Sequence, residues 1–418
     1  MPASSLHVLA TPAHARRSAL VAAVTLCLAS GAFAERSPLY FGAGVSAGHD
    51  SNVFRAPEGS PQDQSDSYTN AFVLAGIDKP FGRQRYFADA TVRRIEFRDL
   101  DTLSNTGYDL NAGVDWSALD RLSGTLRYGT SRARSQQNLD ATVVTERNLE
   151  TAREFLARAQ YGGEAILAIE GEYVHRSLDY SASAFTAQEN SSDSVRAGLL
   201  YRLSGALRLG AGLRYTDGKY PQGVLISPGV YEEDKYTRRD LDLTAQWIPS
   251  GASTLNARIS LSKQENDAQT SRDFSGTTGS IRWEWQPTGK LRFDTRLSRD
   301  TGFESSFLSF GTSNGAAVGD TSRLTTALQI GAIWDITSKI ALDADGRYAR
   351  RSLVNTGGVT VDESDRTHLF GLGITYKPTR IAELSCKVSR EERNTSGTIL
   401  TYPYSATVAM CGAQIVLR

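Results

Sequence analysis

Pairs of charged side chains at alternate positions are the clearest candidates for chemistry in this sequence. Examples are Asp240 with Asp242 and Asp343 with Asp345. Arginine forks bind carboxylates and hydroxyl groups, so such a set could contact hydrated solutes, with most members neutralising each other across neighbouring strands. The charges predicted to line a polar interior are Asp109, Asp115, Arg127, Arg208, Arg214, Asp240, Asp242, Arg258, Arg292, Asp294, Arg296, Asp343, Asp345 and Arg347.

The residue types that usually support catalysis or metal binding are scattered. After residue 34 the histidines are His49, His175 and His368, without the spacing of a metal site or a partner set for a nucleophile. Both kinds of site need side chains that converge. The glycines Gly371 and Gly373 follow strand alternation and not a phosphate-binding loop. We therefore predict no enzymatic activity, no cofactor and no metal.

The first residues have the features of an export signal. Arg16 and Arg17 precede an apolar run over 19–29, and Ala32-Phe33-Ala34 forms a cleavage site. A membrane-spanning helix would need roughly 20 apolar residues, which this run lacks. We predict a cleavable signal peptide over 1–34 and a single barrel domain over 35–418.

The charge balance of the chain argues against nucleic acid as a partner. Residues 1–34 contain two arginines and no acidic residue, so 44 of the 46 Lys+Arg remain against 46 Asp+Glu, a net charge of −2. Nucleic-acid-binding proteins carry a basic surplus. The mean hydropathy of −0.33 also differs from that of a helical membrane protein.

Period-two alternation over segments of about ten residues dominates the chain from Leu39 onwards. In one segment Tyr108, Leu110 and Ala112 alternate with Asp109 and Asn111. About ten residues is the length that a tilted strand needs to cross a bilayer. The pattern predicts an all-β fold, a closed antiparallel transmembrane β-barrel of about 18 strands.

The predicted connections alternate in length. Short turns fall at 79–83, 117–120, 161–163, 249–251, 287–290 and 377–380, and longer polar loops at 134–146, 217–234, 305–320 and 353–364. Outer-membrane barrels have short periplasmic turns and longer external loops. The asymmetry predicts a Gram-negative outer-membrane protein, contacting outer-membrane lipid, with both termini in the periplasm.

Aromatic residues fall where two membrane interfaces would lie. Tryptophans precede short turns and tyrosines stand farther along the strands that follow, which is typical of the aromatic girdles of a barrel. A soluble β-sandwich is the alternative, although it gives no reason for this sorting. The predicted interfacial residues are Trp116, Trp247, Trp285, Trp334, Tyr128, Tyr173, Tyr215 and Tyr348.

The chain resembles the EpsL-type proteins of exopolysaccharide operons, a proposed β-barrel porin family. The resemblance lies in GHDSNVFR (48–55), DKPFGRQR (78–85), RLSGTL (121–126), LSC (384–386) and CGAQ (411–414). It covers essentially the whole mature chain. One departure is the final IVLR, where outer-membrane barrels commonly end in an aromatic residue.

What the resemblance implies is a role in exopolysaccharide export, with the barrel as the outer-membrane conduit for the polymer. Periplasmic export proteins are then expected partners. Two alternatives stay open, because a fold alone does not establish a cargo. One is a structural or docking barrel of an export assembly, and the other is a general diffusion porin for small solutes.

Cys386 and Cys411 are the only cysteines after residue 34, and they fall on the last two predicted strands. Exported proteins fold in an oxidising compartment. The two cysteines are nearly equidistant from the turn around residue 398, so antiparallel pairing could place them opposite each other. We predict a disulfide, with two buried free thiols as the alternative.

Overall fold

The computed structural model describes residues 37–118, 121–135, 142–163, 165–227, 230–301, 324–354 and 362–418. The predicted signal peptide over 1–34 lies outside the described residues. So do the whole of the predicted loop 305–320, with its flanks, and the central parts of the loops 134–146 and 353–364.

The described residues form eighteen strands, which confirms the predicted all-β barrel and its strand number. The strands are β1 Leu39–Asp50, β2 Asp66–Phe81, β3 Gln84–Phe97, β4 Asn105–Ala118, β5 Leu122–Arg134, β6 Leu149–Tyr161, β7 Leu167–Tyr180, β8 Asn190–Arg202, β9 Leu207–Ser227, β10 Val230–Ser250, β11 Ser253–Asn266, β12 Phe274–Thr288, β13 Leu291–Asp300, β14 Leu324–Asp335, β15 Ile340–Val354, β16 Asp362–Tyr376, β17 Ala382–Thr395 and β18 Tyr404–Leu417.

Each strand pairs with its neighbours in sequence, and the first strand also pairs with the last. Phe41 of β1 lies opposite Ala75 of β2 and opposite Leu417 of β18, and both pairings are antiparallel. The sheet is therefore closed, and closure removes the unpaired edges that an open sheet would expose.

The connections sort by length between the two ends of the barrel. At one end β2–β3 and β10–β11 are joined by two residues each, and at the other end β1 and β2 are joined by 51–65. The predicted long loop at 217–234 is wrong: β9 and β10 run through it as strands of 21 residues each. Aromatic and β-branched residues, among them Tyr220, Val224 and Tyr231, favour strands there in spite of the polar residues between them.

Besides the strands, the described residues contain three short 3₁₀ helices, all at the end of the barrel with the long connections. They are Asp101–Leu103, Ser183–Gln188 and Thr270–Arg272. In the part of the chain that is described, no helix has both the length and the apolar character to cross a membrane. Small apolar clusters fill the same end, one around Val53, Phe97 and Leu103.

The two faces of the sheet differ in chemistry. In β1 the exposed and half-buried residues alternate strictly from Leu39 to Gly48, and Phe41 and Val45 are 57% and 60% exposed. Register partners in adjacent strands lie on the same face of the sheet. The alternation of outward and inward residues in β1 therefore assigns every residue of the other strands to one of the two faces. Large apolar side chains lie exposed on the outer face, while the inner face carries charged and small residues.

Candidate functional site: the charged inner wall

All fourteen charges predicted to face the interior lie on the inward parity of their strands. Asp240 is opposite Arg214 across β10 and β9, and Asp242 is opposite Ser260 across β10 and β11. Asp345 is opposite Gly331 across β15 and β14. The phase of each strand places these residues on one face, and their role in lining a channel stays a prediction.

The strands β8 to β13 bring seven of the inner charges into one connected group. Asp242 accepts hydrogen bonds from Arg196 Nε and from Arg214 Nη2, both at 3.2 Å. Arg258 Nη2 lies 3.3 Å from Asp300 Oδ2, and its Nη1 lies 3.8 Å from Asp242 Oδ1. We call this set the central charge cluster: Arg196, Arg214, Arg238, Asp240, Asp242, Arg258 and Asp300.

Arg238 is the centre of this cluster and is only 2% exposed. Its Nε donates to Asp240 Oδ1 at 3.0 Å, and its Nη1 donates to Asp300 Oδ1 at 2.8 Å. Nη2 donates to Ser262 and Thr278, both at 3.2 Å. Burying a guanidinium is costly unless its donors are satisfied, and here carboxylates and hydroxyls surround it.

A second run of ion pairs extends the cluster across β5 to β8. Glu154 accepts from Arg176 Nε at 2.9 Å and from Arg127. On the same two strands, β6 and β7, Arg158 Nε donates to Glu172 at 2.8 Å, and Glu170 of β7 binds Arg196 of the central charge cluster on β8. Ion pairs therefore cover the inner wall from β5 to β13.

The inner wall of β15 to β17 is lined differently. Lys387 lies 4.0 Å from Asp343 and also binds Asp345. A Cβ at Gly373 would lie 2.3 Å from Asp343 Oδ1, and one at Gly371 would lie 2.7 Å from Asp345 Oδ1. The two glycines therefore make room for the two carboxylates.

The other predicted inner charges lie outside the groups of ion pairs described above, and each has few contacts. Arg292 donates to Asp335 at 3.1 Å, and Arg208 donates to the carbonyl of Gly163 at 3.0 Å. Further contacts join Arg282 to Asp294 at 2.9 Å, Thr125 to Asp115 at 2.8 Å, and Arg93 to Asp109, while Arg347 lies opposite Gln329.

Arg296 stands out among the inner arginines. It lies opposite Arg282 on one side and Gln329 on the other. Among the described residues it has no carboxylate oxygen within 4.0 Å. Its guanidinium is therefore a cation whose donors have no acidic partner in the described part of the wall.

Buried carboxylates hold the long connections at their end of the barrel. Asp66 accepts from the backbone N–H of Leu100 at 2.8 Å, and Asp234 accepts from that of Ala268 at 2.9 Å. Glu363 accepts from that of Leu400 at 2.9 Å. Each carboxylate sits near the start of an even-numbered strand and fixes the following long connection.

Arg55, in the connection between β1 and β2, is buried beside two carboxylates. Its Nη1 lies 2.9 Å from Asp50 Oδ1, and its Nε lies 3.4 Å from Glu391 Oε2. Burial alone would lower the pKa of this guanidinium, but the two carboxylates outweigh burial and raise the pKa. Arg55 therefore stays charged and ties this connection to β17.

The predicted interfacial aromatics all lie on the outward parity. Trp334 is one residue from the end of β14, whereas Tyr215 is twelve residues before the end of β9. The tyrosines thus stand partway along strands that continue past them, and not at the start of the long connections as expected. An apolar band of bilayer thickness, and not the strand end, sets where such residues belong.

Cys386 and Cys411 are register partners on β17 and β18, and a disulfide joins them with a Cα–Cα distance of 4.0 Å. Their parity places the bond on the outer face. The three histidines of the described residues also lie there: His49 contacts Ser67, His175 contacts Asp193, and His368 packs on Tyr348. No group of three or more metal-binding side chains occurs within the described ranges.

Sequence reasoning missed several members of the inner wall. Arg238 shares the parity of Asp240 and Asp242, and Asp300 shares that of Asp294. Strand phase could therefore have found both. Arg196 could have been found in the same way from the alternation of β8.

No family model matches the sequence, and no curated protein matches it. The EpsL-type resemblance and its polysaccharide cargo accordingly gain no support from known proteins. Solved structures of outer-membrane proteins do match the barrel at low identity. The outer-membrane protein OpdK of Pseudomonas aeruginosa has a TM-score of 0.48 and 16% identity, over 91% of this chain and 99% of that one.

A BenF-like porin from Pseudomonas fluorescens Pf-5 has a TM-score of 0.46 and 13% identity, over 91% of this chain and 99% of that one. OccAB4 from Acinetobacter baumannii has a TM-score of 0.47 and 10% identity, over 92% of this chain and 99% of that one. These values describe likenesses to outer-membrane barrels and assign no cargo to this chain.

Proposed function

We propose that this chain is a porin of a Gram-negative outer membrane that lets small hydrophilic solutes diffuse through its lumen. The observation that carries the proposal is the contrast between the two faces of the closed sheet. The outer face exposes apolar side chains such as Phe41, Leu213 and Ile259, while the inner face holds the central charge cluster. Barrels of about 18 strands are wide enough for an aqueous channel.

The way the inner charges are neutralised supports diffusion rather than tight binding. Most carboxylates on β5 to β13 already bind arginines of the same wall. A passing solute therefore meets weak, repeated contacts, which suit permeation because a single tight site would retain it. Glu170 balances the four arginines and three aspartates of the central charge cluster, so any preference for anions rests on Arg296, which has no carboxylate within 4.0 Å among the described residues.

Conductance in planar phospholipid bilayers tests the proposal. The purified barrel should give stepwise, ohmic currents, and Arg296→Glu should move the reversal potential in a salt gradient towards cation selectivity. Arg153, an outward-facing residue bound to Asp179, provides the control, and Arg153→Gln should leave selectivity unchanged. A folded barrel that gives no current steps would contradict the porin proposal.

Exopolysaccharide export is a second candidate, and it rests on the EpsL-type resemblance alone. A clean deletion should then reduce surface polysaccharide and cause its build-up in the periplasm. Reduced surface polysaccharide together with a non-conducting barrel would instead favour the docking role in an export assembly.

A further inference from the structure

Two arginines on the outer wall face each other without an anionic partner. Arg350 of β15 and Arg366 of β16 are direct register partners, and both are exposed. Like charges directly opposite each other in a sheet are destabilising. Within the described ranges neither guanidinium has a hydrogen bond or an ion pair. Because arginine does not deprotonate in proteins, this pair calls for an anion from outside the chain.

The position of the two arginines along the barrel axis indicates where that anion comes from. Arg350 lies ten residues along β15 from Ile340, and Arg366 lies ten residues before Tyr376 at the end of β16. A tilted strand of that length crosses the hydrocarbon core. The arginines therefore lie at the bilayer boundary on the side of the long connections, where lipid head groups are found.

A groove in the outer wall lies directly below the arginine pair. It has a volume of about 460 Å³, and its lining combines the apolar part, Leu328, Ile330, Gly346 and Phe370, with the ion pair of Arg390 and Glu392. Gly346 lies between Ile330 and Phe370 in the register, and a Cβ added there would meet no atom closer than 4.0 Å. The missing side chain keeps the groove open to an apolar chain.

We propose that this surface binds a phosphorylated, acylated glycolipid of the outer leaflet, with its phosphate on Arg350 and Arg366 and an acyl chain in the groove. Arginine forks match phosphate oxygens through charge-assisted hydrogen bonds. The inference rests on the outer-membrane placement proposed above. It does not depend on what passes through the lumen.

Binding of bis-phosphorylated lipid A to the purified full-length barrel in detergent, measured by native mass spectrometry, tests the site. R350Q/R366Q should weaken binding at least tenfold, since two charge-assisted contacts are lost. R153Q, which removes an outward arginine that already has a carboxylate partner, should bind as the wild type does. Heat-modifiable migration on gels confirms that each variant is folded, and the double variant removes a repulsion and should fold normally.

Two further experiments test the contributions of the acyl chain and of the phosphates separately. G346L fills the groove while keeping both arginines, and it should also weaken lipid A binding about tenfold. Lipid A stripped of its phosphates should bind the wild type as weakly as intact lipid A binds R350Q/R366Q. Unchanged affinity in R350Q/R366Q, or equal affinity for the stripped lipid, would overturn the site. Inorganic phosphate binding as tightly as lipid A would overturn the lipid as its occupant.

Conductance separates this inference from the proposed function. R350Q/R366Q should conduct as the wild type does in a phospholipid bilayer without lipid A. A barrel that conducts but shows no preference for lipid A would therefore contradict the lipid site and leave the porin proposal standing.

Discussion

Arg238 shows how single residues stabilise the inner wall. It is almost fully buried and binds Asp240 and Asp300, which belong to strands three apart in the barrel. Removing one partner of a buried ion pair leaves an uncompensated charge, which costs far more than the pair gains over an apolar replacement. The central charge cluster therefore stabilises the barrel only as a complete set.

Arg238→Met should reduce the free energy of unfolding by about 3–5 kcal/mol, because Asp240 and Asp300 lose their buried guanidinium. Urea unfolding in detergent, followed by tryptophan fluorescence, measures the loss. Arg153→Gln breaks an exposed pair and should cost less than about 1 kcal/mol. Similar losses for the two variants would contradict the role given to burial.

At the scale of elements, the hairpin of β17 and β18 closes the barrel next to β1. The register places Cys386 opposite Cys411 and leaves 396–403 as the connecting segment. The disulfide lies on the outer face, so it links the two strands without obstructing the lumen. Strands whose pairing is fixed in this way cannot slip in register.

In non-reduced, denatured protein both cysteines should resist alkylation, and both should react after reduction, because an oxidising compartment forms the bond. Mass spectrometry of the alkylated protein gives the count directly. Alkylation of both thiols before reduction would show two free cysteines. If the bond is present, as we expect, the double variant Cys386→Ala/Cys411→Ala should lower the free energy of unfolding by about 2–4 kcal/mol. If both thiols are free, the same variant should leave the free energy of unfolding unchanged.

On the scale of the whole molecule, the two ends of the barrel differ. Short turns join the strands at one end, where the described chain also begins and ends, and long connections held by Asp66, Asp234 and Glu363 lie at the other. Tagging can assign the two ends to compartments. The strands β9 and β10 extend their hairpin beyond their neighbours and provide a third position for a tag.

Tags inserted within 134–146 or near Gly223 in the extended hairpin should be accessible to antibody on intact cells, because long connections face outwards in such barrels. A tag beside Ala118, at a short turn, should become accessible only after the outer membrane is permeabilised. Labelling in the opposite order would reverse the orientation, and it would also move Arg350 and Arg366 to the inner leaflet.

The sequence by itself determined the class of fold, the number of strands, the phase of each strand and the two cysteines that face each other. These follow from local rules, since a period of two residues assigns every side chain to a face without reference to any other strand. Tertiary structure decided which charges meet. Arg238 and Asp300 are 62 residues apart in sequence and meet because the closed, tilted sheet brings β10 and β13 together. The tertiary structure also decided that 217–227 and 230–234 belong to strands and that Arg350 faces Arg366, because register depends on how the whole barrel closes.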